Sequence, residues 1–466
     1  MSSLWIVWII VQEYGYALTT ASKLQPTAEE GCDRASVNRT IAHDDPHEPR
    51  LPLAAKPQYI DYKLHYGLRY NPPPLQAPVR NVSQERERKK LLLSAGQLGA
   101  HVEPLAPPLL TVFHIISFVN GPCVSRRQPD DGIAWAGVCY NEQECIILHG
   151  MPMDSCAGGF GVCCVFRFGC DGRTEQNVSY FHSPHYPAAA TDSLSCGFTL
   201  LLQRTVRQVL LEFVFFELQP PQLGNCVEDQ FIVSVQNDQR PHYPVLCGIN
   251  TGQHMYLDID RAYSHSLYLS TVFNSKQPRA FLVKITQLTT IRAPAGCLQF
   301  HEGVSGVLKS FNYDNGSVLV TNRKASYFNN LNYAICIRRH KMFCNVVITN
   351  TDAANGRENT FQLVNIAKDG SSLVPPDQAG IEVFSCPDDF IAIDFVRLCG
   401  ERLNDGSLVT DASINQPVTY GSAGPIVIAV RTDQATVGRG FNLAYMQLVC
   451  TVQTHSRDHQ VVDLLP

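Results

Sequence analysis

Long apolar runs, charge and catalytic motifs are all scarce in this chain of 466 residues. The opening apolar stretch from Leu4 to Val11 is too short to cross a bilayer, which takes ~20 residues, and no second run of that kind follows. Charged residues make up 17%, against about 25% in ordinary soluble domains. Lysine and arginine (37) do not exceed aspartate and glutamate (42), which argues against electrostatic adhesion to nucleic acid. There is no Gly-x-Ser-x-Gly nucleophile elbow and no phosphate-cradling glycine loop ending in Lys-Ser/Thr. His301-Glu302 opens like a zinc-protease helix, but Ser305 stands where the second histidine belongs and the segment is glycine-rich. His185 falls in a Ser183-Pro-His-Tyr-Pro187 turn that His182 directly precedes, and both read as loop residues. No CxxC pair offers a structural zinc site. These absences point away from an enzyme and away from any required cofactor.

What is abundant is cysteine. Seventeen of them point to an oxidising compartment and a disulfide framework. Leu4 to Val11, followed by Gly15 and Ala17, has the form of a signal peptide over 1–17. Residues 18–112 hold twelve prolines, the patch Glu85-Arg-Glu-Arg-Lys-Lys90 and the single Cys32. That composition cannot bury enough surface to offset chain entropy, and predicts a disordered arm. The patch is a candidate processing site. Six cysteines between Cys123 and Cys164 mark a segment, 113–168, too small to stand without staples. Six cysteines allow 15 pairings. The adjacent Cys163 and Cys164 must reach two different partners. The tail, 452–466, is short and polar, so a soluble, secreted, extracellular protein is expected.

From Cys170 the texture becomes β. Val209–Leu218, Phe231–Val235, Met255–Ile259, Leu267–Phe273 and Phe281–Thr286 are short β-rich runs separated by turn clusters. After Cys297 the pattern returns in Tyr333–Ile337, Val346–Thr349, Phe361–Ile366, Phe390–Ile393, Ile426–Val430 and Phe441–Leu448. Such runs predict an all-β chain with two sandwiches, 169–290 and 291–451.

The spacing that ends in Cys163-Cys164 resembles the clip domain of arthropod extracellular proteins. That resemblance implies Cys123–Cys163, Cys139–Cys156 and Cys145–Cys164. Clip segments often precede trypsin-like domains, but no Gly-Asp-Ser-Gly-Gly nucleophile motif occurs here. Cys170, Ser183-Pro-His-Tyr-Pro187, Cys196, Leu210-Leu-Glu-Phe213, Cys226-x-x-Asp229 and Cys247-Gly248 resemble a CUB domain. A divergent second copy keeps Cys386-x-x-Asp389, Cys399-Gly400, Arg431-Thr-Asp433 and Arg439-Gly-Phe441. The whole chain is similar to arthropod secreted proteins with a clip-like segment and two CUB-like modules, a family without an assigned activity. Its marks are Cys247-Gly-Ile-Asn-Thr-Gly-Gln-His-Met-Tyr256, Gly296-Cys-Leu-Gln-Phe300, Phe311-Asn-Tyr and Cys336-Ile-Arg-Arg.

The CUB resemblance implies Cys170–Cys196 and Cys226–Cys247. In the second module Cys336–Cys344 and Cys386–Cys399 are short closures, which leaves Cys297–Cys450 by elimination and Cys32 unpaired. Many CUB modules bind one Ca²⁺ through a Glu and two Asp, oxygen ligands suited to a hard cation. The candidates are Asp389, Asp433 and Glu382 in the second module, and Glu217, Asp229 and Asn274 in the first. Sequons stand at Asn38, Asn81, Asn177 and Asn315, with Asn177 and Asn315 in turn-like contexts. The functional expectation is non-catalytic recognition of an extracellular protein or glycan. The alternative is a non-catalytic cofactor or regulator of a clip-type serine protease cascade.

Overall fold

The computed structural model describes residues 117–126, 132–236, 243–260, 264–319, 325–351 and 360–450. The signal segment, the arm with Cys32, Asn38, Asn81 and the 85–90 patch, and the tail lie outside the described residues.

The cysteine-rich segment folds into an antiparallel sheet in the order Pro122–Val124, Ala136–Tyr140, Gly161–Val165, Met151–Cys156. A short helix, Glu142–Ile147, begins where the Asn141 side chain accepts the Gln143 N–H, as an N-cap should. Bridges join Cys123 to Cys163, Cys139 to Cys156 and Cys145 to Cys164. The segment supplements its staples by docking. Trp135 is fully buried, edge-on to Tyr180 at 4.7 Å, and the Tyr180 hydroxyl accepts the Ala136 N–H. Arg167–Phe168 pairs with Val178–His182, so the end of the segment is already part of the next module's sheet.

Two sandwiches follow. The first faces a sheet of Asp229–Val235, Ser266–Phe273, Leu194–Leu201 and Gly172–Thr174 against one of His254–Asp258, Gln208–Glu217, Ala280–Leu288, Val178–His182 and Arg167–Phe168. The period of two is visible in Leu194–Leu201, where Cys196, Phe198 and Leu200 alternate inward, as a strand with one face on the core requires. Phe216, Phe231 and Phe281 fill the interior, with Phe216 edge-on to Phe231 at 5.3 Å, a favoured ring geometry. The second sandwich has a sheet of Cys297–His301, Asn332–Ile337, Ile426–Arg431, Phe390–Ile393, Val396–Gly400 and Ala379–Ile381. Opposite it lie Ser305–Lys309, Gly440–Val449, Phe343–Asn350 and Val418–Tyr420.

Cys170–Cys196, Cys226–Cys247 and Cys386–Cys399 are bridged. The remaining four cysteines correct the sequence expectation. Instead of Cys336–Cys344 and Cys297–Cys450, the structure has Cys297–Cys336 and Cys344–Cys450. Sheet neighbours decide this. Cys297–His301 lies parallel to Asn332–Ile337, which brings Cys297 beside Cys336 with Cα atoms 5.7 Å apart. Phe343–Asn350 runs antiparallel to Gly440–Val449, which brings Cys344 to Cys450. Cys336 and Cys344 are close in sequence but belong to opposite sheets.

The sandwiches pack on each other. One buried apolar cluster includes Phe216 and Leu246 of the first and Phe311 and Tyr333 of the second. Gln208, 1% exposed, clamps the connection between them. Its Oε1 accepts the N–H groups of Arg292 and Ala293, and its Nε2 donates to the Ala293 carbonyl and to Asp258. Farther along, the Asn312 N–H donates to Asn250 Oδ1 at 2.9 Å, and Asn312 Oδ1 accepts the Ile249 N–H at 3.0 Å. Gly248 has φ +68°, and a Cβ there would collide with the Asn312 amide. This is a place where only glycine fits.

Candidate functional site

The calcium candidates of the first module do not converge. Asp229 is buried, and its Oδ2 accepts from Arg279 Nε at 3.0 Å and from the Gln219 N–H at 2.8 Å. Arg279 is fully buried as well. Its Nη2 donates to the Ser275 carbonyl and hydroxyl, its Nη1 to the Asp192 carbonyl, and its guanidinium lies 4.7 Å above the Phe273 ring. Burial pushes the Asp229 carboxyl up, while the Gln219 N–H and Arg279 hold it down. Glu217 turns to the second module, where its Oε2 accepts from the Ser317 hydroxyl at 2.6 Å and from the Val318 and Leu319 N–H groups. Asn274 Nδ2 donates to the Val227 carbonyl. Asp229 Oδ1 is the one buried oxygen of this set without a partner, far short of the six to eight oxygens a calcium takes. The residues do not fit the ion, and a guanidinium stands beside the carboxylate instead.

In the second module Asp389 and Asp433 do meet, through a backbone bond. Asp389 Oδ1 accepts the Asp433 N–H at 2.7 Å, and Oδ2 accepts the Tyr327 hydroxyl at 2.6 Å. Asp433 Oδ1 accepts the Ala435 N–H. Burial raises the Asp389 carboxyl to about 6 against these hydrogen bonds, with Asp433 and Asp388 adding to the rise. Glu382 instead opens the short turn Glu382–Ser385, where its charge acts on Arg397. Among the described residues no three His, Cys, Asp or Glu side chains are placed to hold a metal. The expected triad is not assembled here either. Tyr327, which bridges Asp389 and the Val364 N–H, and Arg279 carry no local sequence signal.

Of the sequons, Asn177 and Asn315 are both exposed. The Asn315 Oδ1 accepts the Ala325 N–H.

The polar groups that do converge lie at the junction of the sandwiches. His254 Nε2 accepts the Phe300 N–H at 3.0 Å, so the proton of the neutral ring sits on Nδ1. The His254 and His301 rings are 5.3 Å apart. Burial lowers both, and with the nearby His254 it takes His301 down to about 4. Gln253 Nε2 donates to the Ser310 carbonyl, and Gln253 Oε1 accepts from Gln299 Nε2. His301 thus ends a strand at the junction, with Glu302 just beyond it.

Family models match in two places: the CUB domain over residues 170–281 and the animal CUB domain over residues 294–448. Among curated proteins none matches the sequence. Similar solved structures include the CUB1-EGF-CUB2 domains of rat MASP-1, at 14% identity and TM-score 0.21, covering 60% of this chain and 99% of that one. The corresponding human MASP-1/3 structure, also at 14% and 0.21, covers 59% and 100%. The extracellular region of zebrafish Gpr126/Adgrg6, at 12% and 0.21, covers 61% of this chain and 34% of its own. The family matches over both sandwiches, with their bridges and β architecture, make this chain a CUB-domain protein with two CUB domains.

Proposed function

We infer that the chain is a secreted, non-catalytic recognition protein whose two CUB domains act as one binding unit. The observation that carries this reading is the junction. Gln208 pins the connection, Glu217 takes three donors from the second domain, and Asn312 donates a buried hydrogen bond to Asn250 and accepts one from Ile249. Ordering so many polar groups between two modules costs chain entropy, and a partner that touches both modules then binds a preorganised surface. Cysteine usage and the opening segment support an extracellular setting. CUB domains generally mediate extracellular protein interactions, which supports recognition over catalysis.

A second reading, a non-catalytic regulator of an extracellular serine protease cascade, rests on the three-bridge segment docked through Trp135, whose pairing is the one the clip resemblance implies. One experiment addresses both. Full-length secreted protein is immobilised and exposed to extracellular fluid, native and after reduction and alkylation. Saturable capture of a partner by the native form alone supports recognition. If that partner is a serine protease or its zymogen, the second reading gains. No saturable capture would overturn both.

A further inference from the structure

Two cavities of about 410 and 370 Å³ open beside the His254–His301 pair, and share Gly252, Gln253, His254 and His301 in their walls. Their size lies within the about 300–1,000 Å³ of small-molecule sites, which favour domain interfaces. The walls come from His254–Asp258 of the first domain and Cys297–His301 of the second, so neither domain makes the cleft alone. The sequence marks Gly-Gln-His-Met-Tyr256 and Cys-Leu-Gln-Phe300 supply these wall residues, and no other function has absorbed them.

The orphaned groups in the second cavity are neutral and polar. His301 Nε2, Gln299 Oε1 and Asn442 Oδ1 are buried atoms without a hydrogen-bond partner, and all three residues line it. Gln299 is itself 3% exposed, and its orientation is determined by its neighbours. The Ser310 carbonyl can only accept, so Gln253 turns Nε2 to it and Oε1 to Gln299. Gln299 must then donate through Nε2, which leaves Oε1 to accept. Unpaired buried polar groups are unfavourable, and a ligand rich in hydroxyls, which both donate and accept, satisfies them.

The charges point to the same chemistry by cancelling. Lys309 is held by both Asp314 oxygens at 3.0 Å, Glu302 takes Arg292 and Arg338, and Glu212 takes Lys284. No unpaired charge in the walls selects an anion or a cation. Tyr256 and Phe300 line the first cavity and add apolar surface beside the polar floor.

We propose that the junction cleft binds a neutral carbohydrate, whose hydroxyls donate to Gln299 and pair with His301 and Asn442. This rests on the recognition reading above and names its ligand class. An extended peptide is the competing occupant, but it offers few N–H donors to a single wall, whereas a pyranose carries hydroxyls around its ring.

The test is an array of immobilised neutral mono- and disaccharides (glucose, galactose, mannose, N-acetylglucosamine and their dimers), with sialylated and sulfated sugars as charged controls. It is probed with labelled full-length protein. Two variants keep the result interpretable. His301→Phe removes the ring nitrogens and keeps a ring. Gly252→Asn projects a side chain into the cleft at φ +80°, where a Cβ meets no atom within 4 Å, and asparagine tolerates that conformation. The expected result is binding to neutral sugars that falls at least tenfold in both variants, with unchanged melting temperatures. Binding only to charged controls, or neutral-sugar binding that both variants retain, overturns the proposal. Protein capture without any sugar signal overturns it while leaving the recognition reading intact, and the absence of both removes the two together.

Discussion

Arg279 and Asp229 form an ion pair with both side chains fully buried, Nε to Oδ2 at 3.0 Å. Each ion has lost its water, and the pair persists because the guanidinium also reaches two backbone carbonyls and the Ser275 hydroxyl. Removing one partner leaves the other charged and dry, at a cost of about 3–5 kcal/mol. Arg279→Met should lower stability by that order. Adding Asp229→Leu should restore part of it, short of full recovery because the Gln219 N–H loses its acceptor. Urea midpoints at constant m-value check this, and a single variant as stable as the native protein would refute it.

The same pair predicts calcium behaviour. With a guanidinium at Asp229, and with Asp389 bonded to Tyr327 and the Asp433 N–H, millimolar Ca²⁺ should not move the melting temperature relative to EGTA. A rise that disappears in Asp389→Ala/Asp433→Ala would show that the second domain rearranges to bind the ion.

The candidate site was legible in part. The β class, the two-module division and most strands follow from alternation, and Phe390–Ile393 has its expected bounds. The calcium positions were marked by motif, but a motif does not report what faces it. Arg279 lies fifty residues beyond Asp229, and only sheet packing brings them together. The same holds for Cys297 and Cys344: sequence proximity suggested Cys336–Cys344, elimination then left Cys297–Cys450, and strand pairing rejects both. His254, Gln299 and Asn312 were visible as marks of a resemblance, but their meeting depends on how two domains pack, which no local pattern encodes.

His301 makes the fold acid-sensitive. Its pKa is lowered to about 4 from an unfolded value of about 6.5. Between those values the unfolded chain binds more protons, so stability falls as pH drops through that window. Burial-lowered His254 and His182 act in the same direction. Asp389, raised to about 6, acts in the opposite sense, because its folded form takes up protons first. His301→Phe should therefore remove on the order of 2 kcal/mol of the loss between pH 6.5 and 4. Denaturant titrations at the two pH values decide it, and an unchanged slope would contradict the assignment.

Asn312 holds the junction at φ +56°, a conformation that asparagine tolerates and leucine resists. Asn312→Leu strands the Ile249 N–H and the Ser326 carbonyl, and should cost about 3 kcal/mol. It should also open the connection near Arg292 to proteolysis. Native-like resistance in limited digestion would show that the domains do not depend on this contact.

The most direct test of the account, an extracellular protein of two disulfide-stapled CUB domains, is peptide mass spectrometry without reduction on protein recovered from the medium. The predicted map contains eight bridges, with Cys297 joined to Cys336 and Cys344 to Cys450. A Cys297–Cys450 bridge, or free thiols at these positions, would contradict the strand pairing of the second domain. Retention inside the cell in reduced form would contradict the extracellular assignment.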